Sequence, residues 1–318
     1  MLCFRSLLIL FFEGAVGVQN LRREKLLEWN SSDQATRPAY SLEDQEILLG
    51  TSIFLCVNEL VVGSRDKSLQ DHLDMARNVI TSLSPSTNDI QPHEAIERVF
   101  TEVNPLLFEF FIYHDSLAAV TIPSIQVKPQ YVSKHETPEQ NQISLIGHEI
   151  MPFINRIAPL RAEPRIGIAM SKAASIWYDL DRWKPPQSYS KDQQSISEFW
   201  KWALTTWLYS ILHPEGKADR QIQDQLSSMM AGMQNISDSV KACLLFPLFI
   251  VGGAAISEED KETVRGLFQM LMKWSSLGNI EVSLQVVENM WRDYDLGLPR
   301  AWDWITQLEN LGMTLLVT

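Results

Sequence analysis

The chain is predicted to be all-α, an irregular array of packed antiparallel helical pairs forming a single large domain. Three observations predict it. Apolar residues recur every three or four positions in segment after segment from Ser41 onward, the spacing that gives a helix one buried face. No run of alternating apolar and polar residues persists long enough for a half-buried strand. The periodic segments open on capping residues and close on Gly or Pro, as helices do. No internal repeat keeps a constant period, so the array is not a regular solenoid.

Residues 1–40 are read as a poorly defined N-terminal segment and 41–318 as the helical domain, with a loop at 121–142 and a linker at 184–190. A length of 318 residues would divide into two domains at about 150 residues each, but helical arrays run longer as one. Arg5 followed by Leu7 to Phe12 mimics the start of a secretory signal, with Ala15-Val16-Gly17 in the place of a cleavage site. Glu13 interrupts that apolar run after six residues, too few to span a bilayer. A buried first helix and no membrane association are the expectation.

Ser41, with Glu43 and Asp44 in the first turn, opens a long core helix that carries Leu48, Leu49, Ile53, Phe54, Val57, Leu60 and Val61 and ends at Gly63. Leu69, Leu73, Ala76, Ile80 and Leu83 then mark a narrow stripe stopped by Ser84-Pro85. The tight connection makes these two helices an antiparallel pair. Ile96, Val99, Phe100 and Val103 give a further face, and Asn104-Pro105 restarts the chain as a cap followed by proline at the first helical position. Pro123, Pro129 and Pro138 leave no helical period in the loop that follows.

Leu145 to Leu160 is predicted to be a helix interrupted at Pro152 and Pro159. Ile166, Ala169, Met170, Ala173, Ile176, Trp177 and Leu180 form one clean face. Past the linker, Ile196, Phe199, Trp200, Ala203, Leu204, Trp207, Leu208, Ile211 and Leu212 make a wide aromatic face for which core packing is the better reading, with the helices from Ile196 to Met233 also expected to bound an effector or dimer surface. Ile222, Leu226, Met229, Met230 and Met233 follow. Their methionines can fill gaps or line an adaptable pocket.

Of the 14 residues from Val240 to Gly253, only Lys241 is charged, so this helix is buried on every side, with a kink or break expected at Pro247. Gly252-Gly253 is expected to admit another segment closely. Ser257 caps a helix whose first turn is Glu258-Glu259-Asp260 and whose core face is Val264, Leu267, Phe268, Leu271 and Met272, with Gly278 as its stop. Leu284, Val287 and Trp291 mark the next helix, ended by Gly297 and Pro299, and Trp304, Ile305, Leu308 and Leu311 the last.

The residue types for chemistry do not assemble. His114-Asp115 has the composition of a catalytic pair, but adjacent helical residues point apart, and a buried, satisfied histidine is the better reading. Asp179 and Asp181 resemble half of a diphosphate-metal site and have no second acidic cluster. Catalytic, cofactor-binding and metal residues are therefore all expected to be none. Cys3, Cys56 and Cys243 lie far apart, and the last two sit in apolar runs where a thiol is a small hydrophobe, as in a reducing compartment. A net charge of −12 repels phosphate backbones. These residues are not expected to bind nucleic acid by bulk electrostatics.

Several segments carry a family resemblance: Cys56, Glu59, Gly63, His72-Leu73 and Ala76-Arg77 in order; Phe111-Ile112-Tyr113-His114-Asp115; Leu245 to Phe249 followed by Gly252 to Ala255; Glu258 to Asp260; and Trp291 with Asp295. Together they resemble the regulatory domain of fungal-specific transcription factors of the zinc binuclear cluster class. A tryptophan often found before the His-Leu is replaced here by Leu69 or its neighbours. The likeness covers most of Ser41 to Thr318 and is weakest between Thr121 and Gln194. It implies a nuclear regulator of RNA polymerase II genes that is not an enzyme. Its expected partners are other transcription regulators, a homodimer partner or a small-molecule effector. Six closely spaced cysteines are absent from this chain, so the resemblance implies DNA contact only indirectly or through a missing N-terminal region, with zinc as a cofactor only of such a cluster. Either the reading frame starts late or the protein works with another regulator. A helical protein-binding scaffold with no transcriptional role is the alternative.

Overall fold

The computed structural model describes residues 42–63, 68–83, 105–122 and 147–318. Among them are eleven α-helices and no strand: α1 Leu42–Val62, α2 Ser68–Leu83, α3 Pro105–Thr121, α4 Gly147–Ile157, α5 Ile166–Arg182, α6 Lys191–Leu212, α7 Arg220–Met233, α8 Leu245–Gly253, α9 Glu258–Trp274, α10 Gly278–Asp295 and α11 Trp304–Leu311. The expected segment 1–40, the helix around Ile96–Val103 and the loop residues 123–142 lie outside the described residues. The start of that loop is corrected: Thr121 is the last residue of α3, and the Ile122 N–H still bonds to the Ala118 carbonyl at 2.8 Å.

The most apolar helix sits at the centre. Every residue of α8 is buried, and α6, α9 and α10 pack around it, as a helix without a wet face requires. The expected kink at Pro247 is absent. Lys241–Cys243 forms a separate 3-10 turn, and the first bond of α8 runs from the Leu248 N–H to the Leu244 carbonyl at 3.0 Å. Pro247 therefore occupies the first helical turn, where its missing N–H would have had no intrahelical acceptor. At the other end, a Cβ on Gly252 would lie 2.9 Å from Val264 Cγ1, so the expected close approach occurs, with α9 as the neighbour.

Other boundaries move for equally local reasons. Pro152 lies inside α4 and does not interrupt it. The cost of about 3 kcal/mol for such a proline is offset by burial of Ile150, Met151, Phe153, Ile154 and Ile157, each contributing about 1.5–3 kcal/mol. Pro159 stands at the start of a 3-10 turn, Ala158–Ala162, that continues the same path. Gly278 does not stop α9, which ends at Trp274; it is the first residue of α10. There it meets Gly63, where α1 ends with φ +67° as expected of a stop.

The buried stripe of α5 is narrower than its periodicity predicts: Ala169, Ala173, Ile176 and Leu180 are buried, whereas Ile166 and Met170 are 77% and 57% exposed. Leu311 likewise faces out. The 184–190 linker is non-helical and leads into a capping box, Ser190 Oγ accepting from the Gln193 N–H while Gln193 Oε1 accepts from the Ser190 N–H. Beyond α11 the chain from Met313 has no regular secondary structure, with Leu315, Leu316 and Val317 buried. Thr121 Oγ1 donates to the Leu315 carbonyl and Asn279 Nδ2 donates to that of Leu316 at 2.8 Å. This strap bridges α3 and α10 and has no counterpart in the helical reading.

Candidate functional site

The resemblance-bearing residues of the front half converge at one place. Cys56 and Glu59 lie on α1, His72 and Arg77 on α2, and Tyr113, His114 and Asp115 on α3. Glu59 Oε1 lies 3.7 Å from His72 Nε2. Arg77 is buried; its Nε donates to Asp115 Oδ1 at 2.6 Å, and its Nη1 reaches Asp74 one turn earlier. The guanidinium thus ties the α1–α2 hairpin to α3 through a charge-assisted bond.

This geometry assigns His114-Asp115 a structural part. Asp115 is held by Arg77, and His114 is buried with its ring edge against Tyr113, 5.3 Å between centroids. The Cys56 thiol is pushed far up by burial; Arg77 opposes this and Asp115 and Glu59 add to it. Burial pushes the Cys243 thiol up to about 12. Neither supplies a thiolate nucleophile near neutral pH.

The second set of motif residues ties the tail. Trp291 Nε1 donates to the Gly252 carbonyl at 2.8 Å, joining α10 to α8. Asp295 Oδ2 accepts from Lys261 Nζ at 2.7 Å, and Glu258 Oε1 accepts from the same amine at 2.8 Å. Burial alone would lower the Lys261 pKa, but these two carboxylates outweigh it and hold it above the ordinary value. One turn on, Arg265 Nε donates to Glu288 at 2.9 Å and its guanidinium carbon lies 5.1 Å from the centre of the Trp291 ring. The pairs 261–295 and 265–288 run in opposite senses, so α9 and α10 are antiparallel. A groove of about 290 Å³ lies between them.

The aromatic face of α6 is core. Trp200 and Trp207 are buried; Trp200 Nε1 donates to the Cys243 carbonyl at 2.8 Å and its ring packs on Phe246 at 4.6 Å, while Trp207 lies 6.3 Å from the Trp304 ring. Both tryptophans thus face the interior rather than an open surface. Met229, Met230 and Met233 are buried as well and fill the gap beside α6. Asp179 pairs with Arg156 at 2.6 Å. Among the described residues no group of three or more His, Cys, Asp and Glu side chains is placed to hold a metal ion.

Sequence reading missed Lys217. It stands in a 3-10 turn, Gly216–Ala218, within a Pro-Glu-Gly-Lys stretch of solvated appearance, yet it is buried, with Nζ 4.7 Å from the centre of the Tyr294 ring. Burial first, then the positive charge of Lys261, lower its pKa to about 7, with Asp295 opposing. No feature of the local sequence signals this; the enclosure comes from α9 and α10.

Among the described residues no helix is long and apolar enough to cross a membrane. Comparison with curated proteins and with solved structures gives no match. The model of the fungal specific transcription factor domain matches residues 17–318, and the chain belongs to that family.

Proposed function

We propose that this chain is the regulatory region of a fungal transcription regulator, acting in the nucleus on RNA polymerase II genes and carrying out no reaction of its own. The observation that carries the reading is the family match over residues 17–318. The net charge of −12 supports indirect contact with DNA, through other transcription regulators or a homodimer partner, or through an N-terminal zinc-cluster region. Zinc belongs to such a cluster alone. A small-molecule effector is a further partner of this reading. The test is a fusion of the full chain to a heterologous DNA-binding domain in fungal cells. Reporter output is expected to change severalfold with the protein in the nucleus; an inert fusion together with nuclear exclusion of the tagged chain would sink the proposal.

The alternative, a helical scaffold that binds proteins without a transcriptional role, has one observation in its favour. Ile166, Met170 and Tyr178 leave an apolar stripe exposed on α5, and exposed patches of this kind mark protein contacts. Partner binding that is lost on Met170→Glu, with the reporter unaffected throughout, would favour this second reading.

A further inference from the structure

Helix α5 is buried along one side only. Ala169, Ala173, Ile176 and Leu180 face the core, while Ile166, Met170, Ala174 and Tyr178 recur every four residues on the outer side, a stripe about 18 Å long at 1.5 Å per residue. Ile166, Met170 and Tyr178 are each more than half exposed. Gly167, Ser171 and Ser175 beside them are small and exposed, and a Cβ on Gly167 would meet nothing within 4 Å. An apolar segment of another chain can therefore lie along the stripe.

The charge around the stripe is opposite to that of the chain. Residues 156–184 hold six cations and three carboxylates, a net +3 in a chain of −12, so the remainder carries −15. Arg156 is spent on Asp179 and Arg161 on Asp303. At the Ile166 end, the exposed side chains of Arg165 and Lys172 share one covered carboxylate, Glu163, at 3.5 and 3.0 Å. At the other end Arg182 donates to the Tyr178 hydroxyl and its guanidinium carbon lies 5.2 Å from the centre of that ring. Lys184 and Asp181 are exposed beside it. Each end of the stripe thus keeps two cations against one carboxylate.

We propose that this face of α5 binds an acidic amphipathic segment of a partner protein, one whose apolar side chains lie on Ile166, Met170, Ala174 and Tyr178 while carboxylates at its two ends meet Arg165 with Lys172 and Arg182 with Lys184. The charge pattern selects this occupant. A second copy of the chain packed through the same helix would bring basic end to basic end in either direction, so the stripe does not complement itself. Duplex DNA and anionic bilayers reach beyond a locus of this size and meet the −15 of the remainder. A short segment within about 10 Å of the locus feels chiefly its cations. Met170, at the middle of the stripe, adapts to different apolar side chains. The inference rests on the protein-contact reading of this stripe and names the partner's chemistry.

The test is fluorescence anisotropy of the full chain with a labelled synthetic peptide of about 15 residues, long enough to cover the stripe, with Leu and Phe on one helical face and Asp and Glu on the other. The chain is expected to bind it, less tightly as salt rises, and Met170→Glu and Arg182→Glu are each expected to weaken binding about tenfold or more. Both positions are exposed, so an unchanged melting temperature verifies the fold of each variant. A peptide with Lys and Arg in place of its acids, and vesicles of phosphatidylserine with phosphatidylcholine, are expected not to bind. Failure of the acidic peptide to bind, or binding that survives either substitution, overturns the proposal. Equal binding of the basic peptide also overturns it, leaving a protein contact without the charge preference, and so does preferential binding of the vesicles. Oxidation by peroxide, read by mass spectrometry, checks the free face: Met170 should react well ahead of the buried Met230 and Met233 and be shielded by the peptide. A Met170 as slow as those two in the free chain overturns the proposal, because the chain itself would then cover the face.

Discussion

Gly63 and Gly278 meet backbone to backbone: a Cβ on Gly278 would lie 2.6 Å from the Gly63 nitrogen. The end of α1 and the start of α10 are joined where neither can carry a side chain. Gly278→Ala is expected to force the hairpin of α1 and α2 away from α10 and to lower stability by about 1–3 kcal/mol. Gly63→Ala adds the strain of a positive φ, about 1–2 kcal/mol. Urea midpoints measure both; unchanged midpoints would mean the helices do not touch there.

Arg77 and Asp115 form the tie between the hairpin and α3. Removing either partner leaves a largely buried charge, so Arg77→Met and Asp115→Asn are each expected to cost about 3 kcal/mol. A double-mutant cycle should show coupling well above the 0.2–1 kcal/mol typical of exposed pairs. Additive losses would contradict the contact.

Trp200→Ala empties the centre of the core and is expected to destabilise by about 3–5 kcal/mol, abolishing any activity along with the fold. Trp291→Phe removes the pyrrole part of the buried indole and leaves the Gly252 carbonyl without its donor, at a cost of about 1–3 kcal/mol for the unpaired carbonyl and a further cavity cost for the lost ring. Calorimetry on the two variants measures both losses; a Trp200→Ala protein as stable as wild type would refute the core assignment.

Cys56 is buried and Cys243 half-buried, and removal of each thiol from water raises its pKa. In a Cys3→Ser background a thiol reagent at about pH 8 should modify neither until denaturant is added. Fast labelling of the native protein, read by mass spectrometry, would show that one of these sulfurs is accessible.

The elements that were legible in the sequence are those whose signal is local. Ser257 caps α9 by accepting from the Asp260 N–H at 3.1 Å, and Gly63 and Gly297 follow helix ends as their places predict. Pro247 and Gly278 were misread because each residue has two uses, as a breaker or as a first-turn residue, and the choice depends on where the preceding turn ends. Trp200 and Trp207 read as core from their helical spacing, and they are buried as that reading expects, against Phe246 and Trp304. The strap from Met313 is too short for helical periodicity and is buried by α3 and α10, neither of which is near it in sequence. Lys217 was invisible for the same reason: its surroundings are contributed by helices some 40 to 80 residues further along.

Helix α8 has no polar side chain, and apolar contact by itself is indifferent to a helix sliding or rotating in its socket. Its alignment comes from two indoles, Trp200 on the Cys243 carbonyl just before it and Trp291 on the Gly252 carbonyl near its end. A greasy rod is thereby indexed at both ends by directional pins. Aliphatic exchanges along the rod should be forgiven, whereas loss of a pin should let the rod drift and blur every helix that rests against it.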